Sequence, residues 1–221
     1  MPVLLLVAAC LLLGLDATPL WDQDEAAYAG FAHQMRATGD WRLPEFAWSD
    51  MHRKPPLHFW LIAACFEVFG ERMAAVRLPG VLAVLGSGLL IARWGAGVFG
   101  ADVARRASVM FLTCLAMVVS KIGLTDGPLL LAQTAAALAL LNHLHSPSIR
   151  WCLALWGAAA AGLLIKGPPI LILACGMGGL LFVVSPHRRR LLLPLLGLPL
   201  AALPLVACLL YTSPSPRDGT K

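Results

Sequence analysis

The residues able to do chemistry are concentrated in one stretch, from Trp21 to Leu57, WDQDEAAYAGFAHQMRATGDWRLPEFAWSDMHRKPPL. Asp22, Asp24 and Glu25 stand at its start, and Arg53 and Lys54 close it just before Pro55 and Pro56. Carboxylates at one end and cations at the other suit transfer from a lipid-linked phosphate donor. The leaving group is then already a stable phosphate anion, so no general acid is required, and one carboxylate suffices to orient or deprotonate an acceptor hydroxyl. Cations are needed to hold the phosphate. This division of labour sets Asp24 on one side and Lys54 with Lys166 on the other.

The rest of the chain explains why this stretch stands out. Nine of the twelve Asp and Glu residues fall between Asp16 and Glu71. The chain is 59% hydrophobic and 13% charged with a mean hydropathy of +0.77, whereas soluble domains carry about 25% charged residues. A water-soluble fold is therefore excluded. The net charge of +5 does not imply nucleic acid, because the cations sit in short loops between apolar runs instead of clustering on a polar face. Cys10, Cys65, Cys114, Cys152, Cys175 and Cys208 lie inside apolar segments without CxxC spacing. That excludes a disulfide framework and a zinc ribbon and leaves them as small packing residues.

Seven apolar runs could cross a membrane at about 20 residues per span. Pro2 to Leu15 is short and has no Lys or Arg before it. It reads as a clipped first transmembrane helix whose true start lies upstream, with a signal-peptide core as the competing reading. The others are Met73 to Trp94, Val103 to Ser120, Pro128 to Leu144, Trp151 to Ile165, Pro169 to Val184 and Leu191 to Leu210. Arg93, Arg105, Arg106, Arg150 and the His187 to Arg190 run fill alternate turns, which the positive-inside rule makes cytoplasmic. Trp21 to Leu57, Lys121 to Asp126 and Lys166 to Pro169 then converge on the outer face.

Two short amphipathic helices are expected within the outer loop, lying on the membrane surface. The first follows a capping-box pattern from Asp22 to Glu25, carries Tyr28, Phe31, Ala32 and Met35 on one face, and stops at Gly39. The second starts after Pro55 and Pro56 with Leu57, Trp60, Leu61, Ala64, Cys65 and Val68 on one face. Trp21, Trp41, Trp48 and Trp60 suit the headgroup level. The tail from Tyr211, YTSPSPRDGTK, switches abruptly to turn-forming polar residues and reads as non-native, so the chain, with 1–210 as its domain, is expected to be a fragment.

Each chemical reading has a plainer competitor. Asp24 and Glu25 could merely complement a helix dipole, Arg53, Lys54 and Arg72 could be headgroup anchors, and Lys121 reads as such an anchor. Asp126 could be an N-cap of the following helix, and Asp22 a cap instead of part of a metal-binding D-x-D. His52 and His58 could bind metal or simply sit at the interface, while His143 and His145 fall on the cytoplasmic side. A non-enzymatic lipid-phosphate-binding protein, transporter or flippase is the alternative function. It would place paired charges near the midplane of broken helices, whereas here nearly all charges sit at span ends.

LWDQDEAAYAGFAHQMRATGDW, HRKPPLHFWLIAACFEVFG and VRLPGVLAVLG, with the later TDGPLLL and LLIKGPP, resemble the multi-spanning glycosyltransferases that include the aminoarabinose lipid A transferases and the protein O-mannosyltransferases. The resemblance reaches to about Leu210. It implies an all-α membrane bundle with two interfacial helices in the first outer loop, anchored in the bacterial inner membrane. The implied reaction is inverting sugar transfer from a polyprenyl-phosphate donor to a lipid, glycan or protein acceptor. It further implies that Asp24 is the catalytic or acceptor-orienting carboxylate, that Glu25 and Tyr28 shape the pocket, that Lys54 and Lys166 contact the donor, and that Asp126 faces the cavity. Arg53 stands where aminoarabinose transferases carry an acidic residue that helps hold a metal, which puts a divalent metal ion and the aminoarabinose substrate in doubt.

Overall fold

The computed structural model describes residues 2–21, 23–41, 55–114 and 121–212. Asp22, His52, Arg53 and Lys54, with Trp48, Ser120 and the end of the polar tail, lie outside the described residues. The described elements are helices: α1 Pro2–Leu12, α2 Gln23–Thr38, α3 Leu57–Phe69, α4 Met73–Trp94, α5 Ala96–Phe99, α6 Ala101–Thr113, α7 Asp126–His145, α8 Ile149–Lys166 and α9 Pro169–Val184, followed by shorter pieces.

Local sequence accounts for the two helices flanking the undescribed part of the polar stretch. Asp24 and Glu25 lie in the first turn of α2 and Arg36 in its last, each at the helix end whose dipole favours its charge. Gly39, at φ +73°, donates back to the Met35 carbonyl at 3.0 Å and stops the helix. Tyr28, Phe31, Ala32 and Met35 are buried as their spacing predicts, packed with Phe59, Ile62 and Phe66 of α3. Phe31, Met35, Phe59, Ile62 and Phe66 each contribute ~1.5–3 kcal/mol by leaving water. The apolar face of α2 is thus covered by protein.

The face of α3 that meets α2 is not the one marked from the sequence. His58, Phe59, Ile62, Ala63 and Phe66 point inward, while Leu61 and Val68, on the face singled out from the sequence, are 38% and 72% exposed. This helix is apolar on nearly all sides, so periodicity alone could not say which side meets α2.

Asp16, in the turn after α1, reaches 58 residues along the chain to accept from the Ala74 amide at 2.7 Å and from Arg72 Nε at 2.8 Å. It therefore caps α4 from outside. These bonds, the Ala74 amide first and Arg72 second, hold its carboxyl below the ordinary range. Val7, Leu11 and Leu15 pack against Val81 and Val84 of α4 and Leu112 of α6, so the apolar N-terminal run is part of the bundle. Where α4 crosses α7, a Cβ on Gly127 would lie 2.9 Å from the Gly80 Cα. Such backbone-to-backbone contact is how helices associate in a lipid environment.

Four segments are long and apolar enough to cross a membrane: Met73–Phe99, Asp126–His145, Ile149–Lys166 and Arg188–Ala207. The second and third match the expected spans to within a turn at each end, the first keeps its expected start and runs five residues past Trp94, and α9 keeps its expected bounds at 16 residues. The last expected span, Leu191 to Leu210, is not one helix. It breaks into the 3₁₀ turn Arg188–Leu191, α10 Leu192–Leu196, the 3₁₀ turn Leu198–Ala202 and α11 Leu203–Thr212. Pro194, Pro199 and Pro204 each remove an amide donor, and each ring clashes with the preceding turn.

The two ends of the bundle differ in chemistry. At one end, Asn142 Nδ2 donates to the Trp94 carbonyl at 2.9 Å, Trp94 and Trp151 meet edge-to-face at 5.2 Å, and Arg190 donates to the Leu144 carbonyl at 3.0 Å. His143 Nδ1 lies 3.1 Å from the Ser148 carbonyl oxygen. This is the arginine-rich end. The other end, one length of α7 away or about 30 Å at 1.5 Å per residue, holds Glu25, Gly123, Asp126 and Lys166.

Candidate functional site

Asp24 sits half-buried in the first turn of α2, and the Tyr28 hydroxyl, one turn on, donates to its Oδ2 at 3.1 Å. The i to i+4 spacing puts both on one helix face. Glu25, next in sequence, turns the other way and is fully buried.

Glu25 accepts four hydrogen bonds. Its Oε1 accepts from Arg77 Nε and from the Gly123 amide, both at 2.8 Å, and its Oε2 from the Trp21 amide at 2.8 Å and Arg77 Nη2 at 3.2 Å. The backward reach to Trp21 resembles the capping-box geometry expected for this residue, shifted by one amide. Arg77, only 3% exposed on α4, also donates to the carbonyls of Leu15, Thr18 and Pro19 at 2.7, 3.0 and 2.9 Å. Burial pushes the Glu25 carboxyl up, but the hydrogen bonds from Arg77, Trp21 and Gly123 outweigh it and hold the group below its ordinary value. A buried charge pair is tolerable only when bonded this fully. The pair ties the start of α2, the turn after α1, α4 and the loop before α7 into one unit.

Gly123 is the hinge of that unit. Its carbonyl lies 3.1 Å from Nε2 of His58, which is fully buried on α3. His58 also makes an edge-on contact with the Tyr28 ring at 5.4 Å. Lys121, exposed, donates to the Leu13 carbonyl at 3.2 Å.

Asp126 and Lys166 meet directly, Nζ to Oδ1 at 2.6 Å, with side chains 43% and 36% exposed. Asp126 is the first residue of α7 and Lys166 the last of α8, so each charge again sits at its favoured helix end. Thr125, not Asp126, occupies the N-cap position, and no side chain caps there. Gly167 at φ +79° and Pro168 then reverse the chain into α9, which explains the K-G-P-P sequence. The structure thus pairs Asp24 with Tyr28 and Asp126 with Lys166. It joins the two pairs through the Glu25–Gly123 bond and the three residues from Gly123 to Asp126. Lys54 lies outside the described residues.

Beside this end runs an apolar groove of about 540 Å³, walled by Leu57 and Leu61 of α3, Pro79 of α4, Pro128 of α7, and Gly157 and Ile165 of α8. Two of its walls adjoin the polar groups: Ile165 precedes Lys166, and Pro128 follows Asp126 by two residues. Among the described residues no three His, Cys, Asp or Glu side chains group closely enough to hold a metal ion.

Sequence reasoning missed Arg77 and Gly123. Arg77 had a signal: a lone arginine four residues inside an apolar run must find a partner, and the carboxylates are gathered in one loop. Gly123 had none beyond being a glycine.

An undecaprenyl phosphate-alpha-4-amino-4-deoxy-L-arabinose arabinosyl transferase of Enterobacter sp. strain 638 is 32% identical over 189 residues, 84% of this chain and 31% of that protein. The transferase of the same name from Aeromonas hydrophila is 39% identical over 80 residues, 36% of this chain and 15% of that one. The chain therefore spans a third or less of the curated relatives it matches. The crystal structure of ArnT from Cupriavidus metallidurans in the apo state superposes with a TM-score of 0.81 at 21% identity, covering 96% of this chain and 42% of that one. The same protein bound to undecaprenyl phosphate gives 0.81 at 22% identity. These likenesses show the same membrane fold. The family model for dolichyl-phosphate-mannose-protein mannosyltransferases matches residues 53–213, and the chain belongs to that family.

Proposed function

We propose that this chain forms the donor-binding part of a membrane glycosyltransferase that moves a sugar from a polyprenyl-phosphate donor to a hydroxyl or phosphate of a lipid, glycan or protein acceptor, with inversion. The observation that carries this reading is the apolar groove with an ionic pair at its end. A polyprenyl chain is apolar along its length and anionic at one tip, so the groove takes the chain and Lys166 the phosphate. Lys166 exchanges the Asp126 carboxylate for the phosphate, and Lys54 supplies a second cation. Asp24, oriented by Tyr28, takes or steers the acceptor proton. The acceptor oxygen bonds to the anomeric carbon as the sugar–phosphate C–O bond breaks, its electron pair leaving with the polyprenyl phosphate. One displacement inverts the anomeric centre.

The names of the relatives, transferases of an undecaprenyl phosphate-linked sugar, support the donor class. The arginine-rich far end, cytoplasmic by the positive-inside rule, supports a site on the outer face of a bacterial inner membrane. Trp21 and Trp41, 79% and 41% exposed, support α2 and α3 lying at the membrane surface.

The test is sugar transfer from a labelled polyprenyl-phosphate donor by the full-length protein in membranes. Donor-dependent transfer is expected, and Lys166→Met should raise the donor KM at least tenfold, the loss of a charge-assisted bond of ~1.5–3 kcal/mol. Binding of polyprenyl phosphate without transfer would make the protein a carrier instead.

A further inference from the structure

We propose that His58 is a positioning residue: together with Glu25 it clamps Gly123 from both sides and thereby sets the loop that carries Asp126 and, through it, the Lys166 ammonium. For its effect on transfer this rests on the function proposed above; the clamp itself does not.

The geometry is closed. His58 is fully buried on the inward face of α3, and a carbonyl can only accept, so Nε2 carries a proton and donates to the Gly123 oxygen at 3.1 Å. The Gly123 amide donates in turn to Glu25 Oε1 at 2.8 Å. The peptide groups on both sides of one residue are thus held by α2 and α3. A third wall comes from α4: a Cβ at position 123 would lie 2.7 Å from Val76 Cγ1 and 3.2 Å from the Val76 carbonyl oxygen. Glycine is what lets the loop approach α4 this closely.

The same imidazole meets the other half of the site, because the Tyr28 ring stands edge-on to it at 5.4 Å and the Tyr28 hydroxyl donates to Asp24. One side chain therefore touches the residue that orients the carboxylate and the loop that leads to the cation. Three residues beyond Gly123, Asp126 holds Lys166 at 2.6 Å. His58 and Leu57, adjacent in sequence, serve opposite sides of α3: Leu57 and Leu61 wall the groove, His58 the clamp. Releasing the clamp should leave the groove able to take a lipid chain while the phosphate cation and the acceptor carboxylate drift apart. A misplacement of about 1 Å costs up to ~100-fold in rate.

The experiment uses the full-length protein with His58→Leu, which fills the space without a donor, and His58→Gln, whose amide N–H can reach the Nε2 position. His58→Leu should lower kcat roughly 10- to 100-fold with donor KM within about threefold of wild type, and His58→Gln should restore kcat to within about threefold. Separately, a spin label on Lys121→Cys in a cysteine-free background should be ordered in wild type and His58→Gln and loosened in His58→Leu. Equal order in all three overturns the clamp, whether or not the protein transfers sugar. A loosened label with unchanged kcat in a transfer-competent background overturns its positioning role. A wild type without transfer refutes the proposed function, and the label still decides the clamp.

Discussion

Replacing Arg77 by Met keeps the length and apolar stem of the side chain and removes only the guanidinium. Glu25 would then stay in a fully buried position with the Trp21 and Gly123 amides as its described partners. Removing one member of a buried pair costs ~3–5 kcal/mol, because the other charge is left uncompensated. The carbonyls of Leu15, Thr18 and Pro19 also lose their donor, but the turn they occupy is partly exposed and water can replace it. The expected loss is therefore ~3–5 kcal/mol, read as reversible unfolding of the purified full-length protein titrated with SDS in mixed micelles. Arg77→Met combined with Glu25→Leu removes both charges and should recover ~1–4 kcal/mol of it. Glu25 has a folded pKa below its ordinary value, so its contribution is present above the ordinary carboxylate range and lost as pH falls through the lowered value. The Arg77→Met penalty should accordingly shrink on acidification through the carboxylate range. A single variant within 1 kcal/mol of wild type at neutral pH would refute the idea that this pair holds the polar end together.

Other expectations follow from the same geometry. Gly157 faces open space in the groove wall, so Gly157→Phe should block donor use without a folding penalty, visible as lost transfer at unchanged expression; normal transfer would put the lipid chain elsewhere. Single cysteines in the Trp21 to Leu57 loop and at His187 should label from opposite sides of the membrane with an impermeant thiol reagent. Labelling from the same side would remove the basis for an outer site.

The bundle was legible in the sequence wherever an apolar run was bounded by clear polar or glycine signals. Helices α4 and α9 keep the expected bounds, and α2 buries the face its periodicity marks, because its other face is polar. Legibility failed where a pattern had two solutions. On α3 both faces are apolar, and only tertiary packing decides that Phe59 and Phe66 go inward while Leu61 and Val68 go outward. In the 191–210 stretch, hydropathy gave the span, but the spacing of Pro194, Pro199 and Pro204 should have forbidden one continuous helix. For the site, the convergence of the polar loops was readable from charge placement, and the structure joins them through Gly123 and the Asp126–Lys166 pair. The Arg77–Glu25 partnership and the His58–Gly123 contact span 52 and 65 residues of sequence. No local pattern encodes contacts of that range, nor the pairing of Lys166, read as a phosphate contact, with Asp126.

Replacing Asp24 by Asn in the full-length protein tests most directly whether this end of the bundle carries out transfer. The change keeps size and most hydrogen-bonding geometry while removing charge and basicity, with Asp22→Asn as the control because Asn caps a helix about as well as Asp. If Asp24 merely complements the α2 dipole, the variant loses at most ~1 kcal/mol of stability and remains active. If Asp24 orients or deprotonates the acceptor, transfer from the polyprenyl-phosphate donor should fall ~10²- to 10⁴-fold with expression and donor binding nearly intact. Near-normal transfer by Asp24→Asn, or a larger loss from Asp22→Asn, would contradict the assignment.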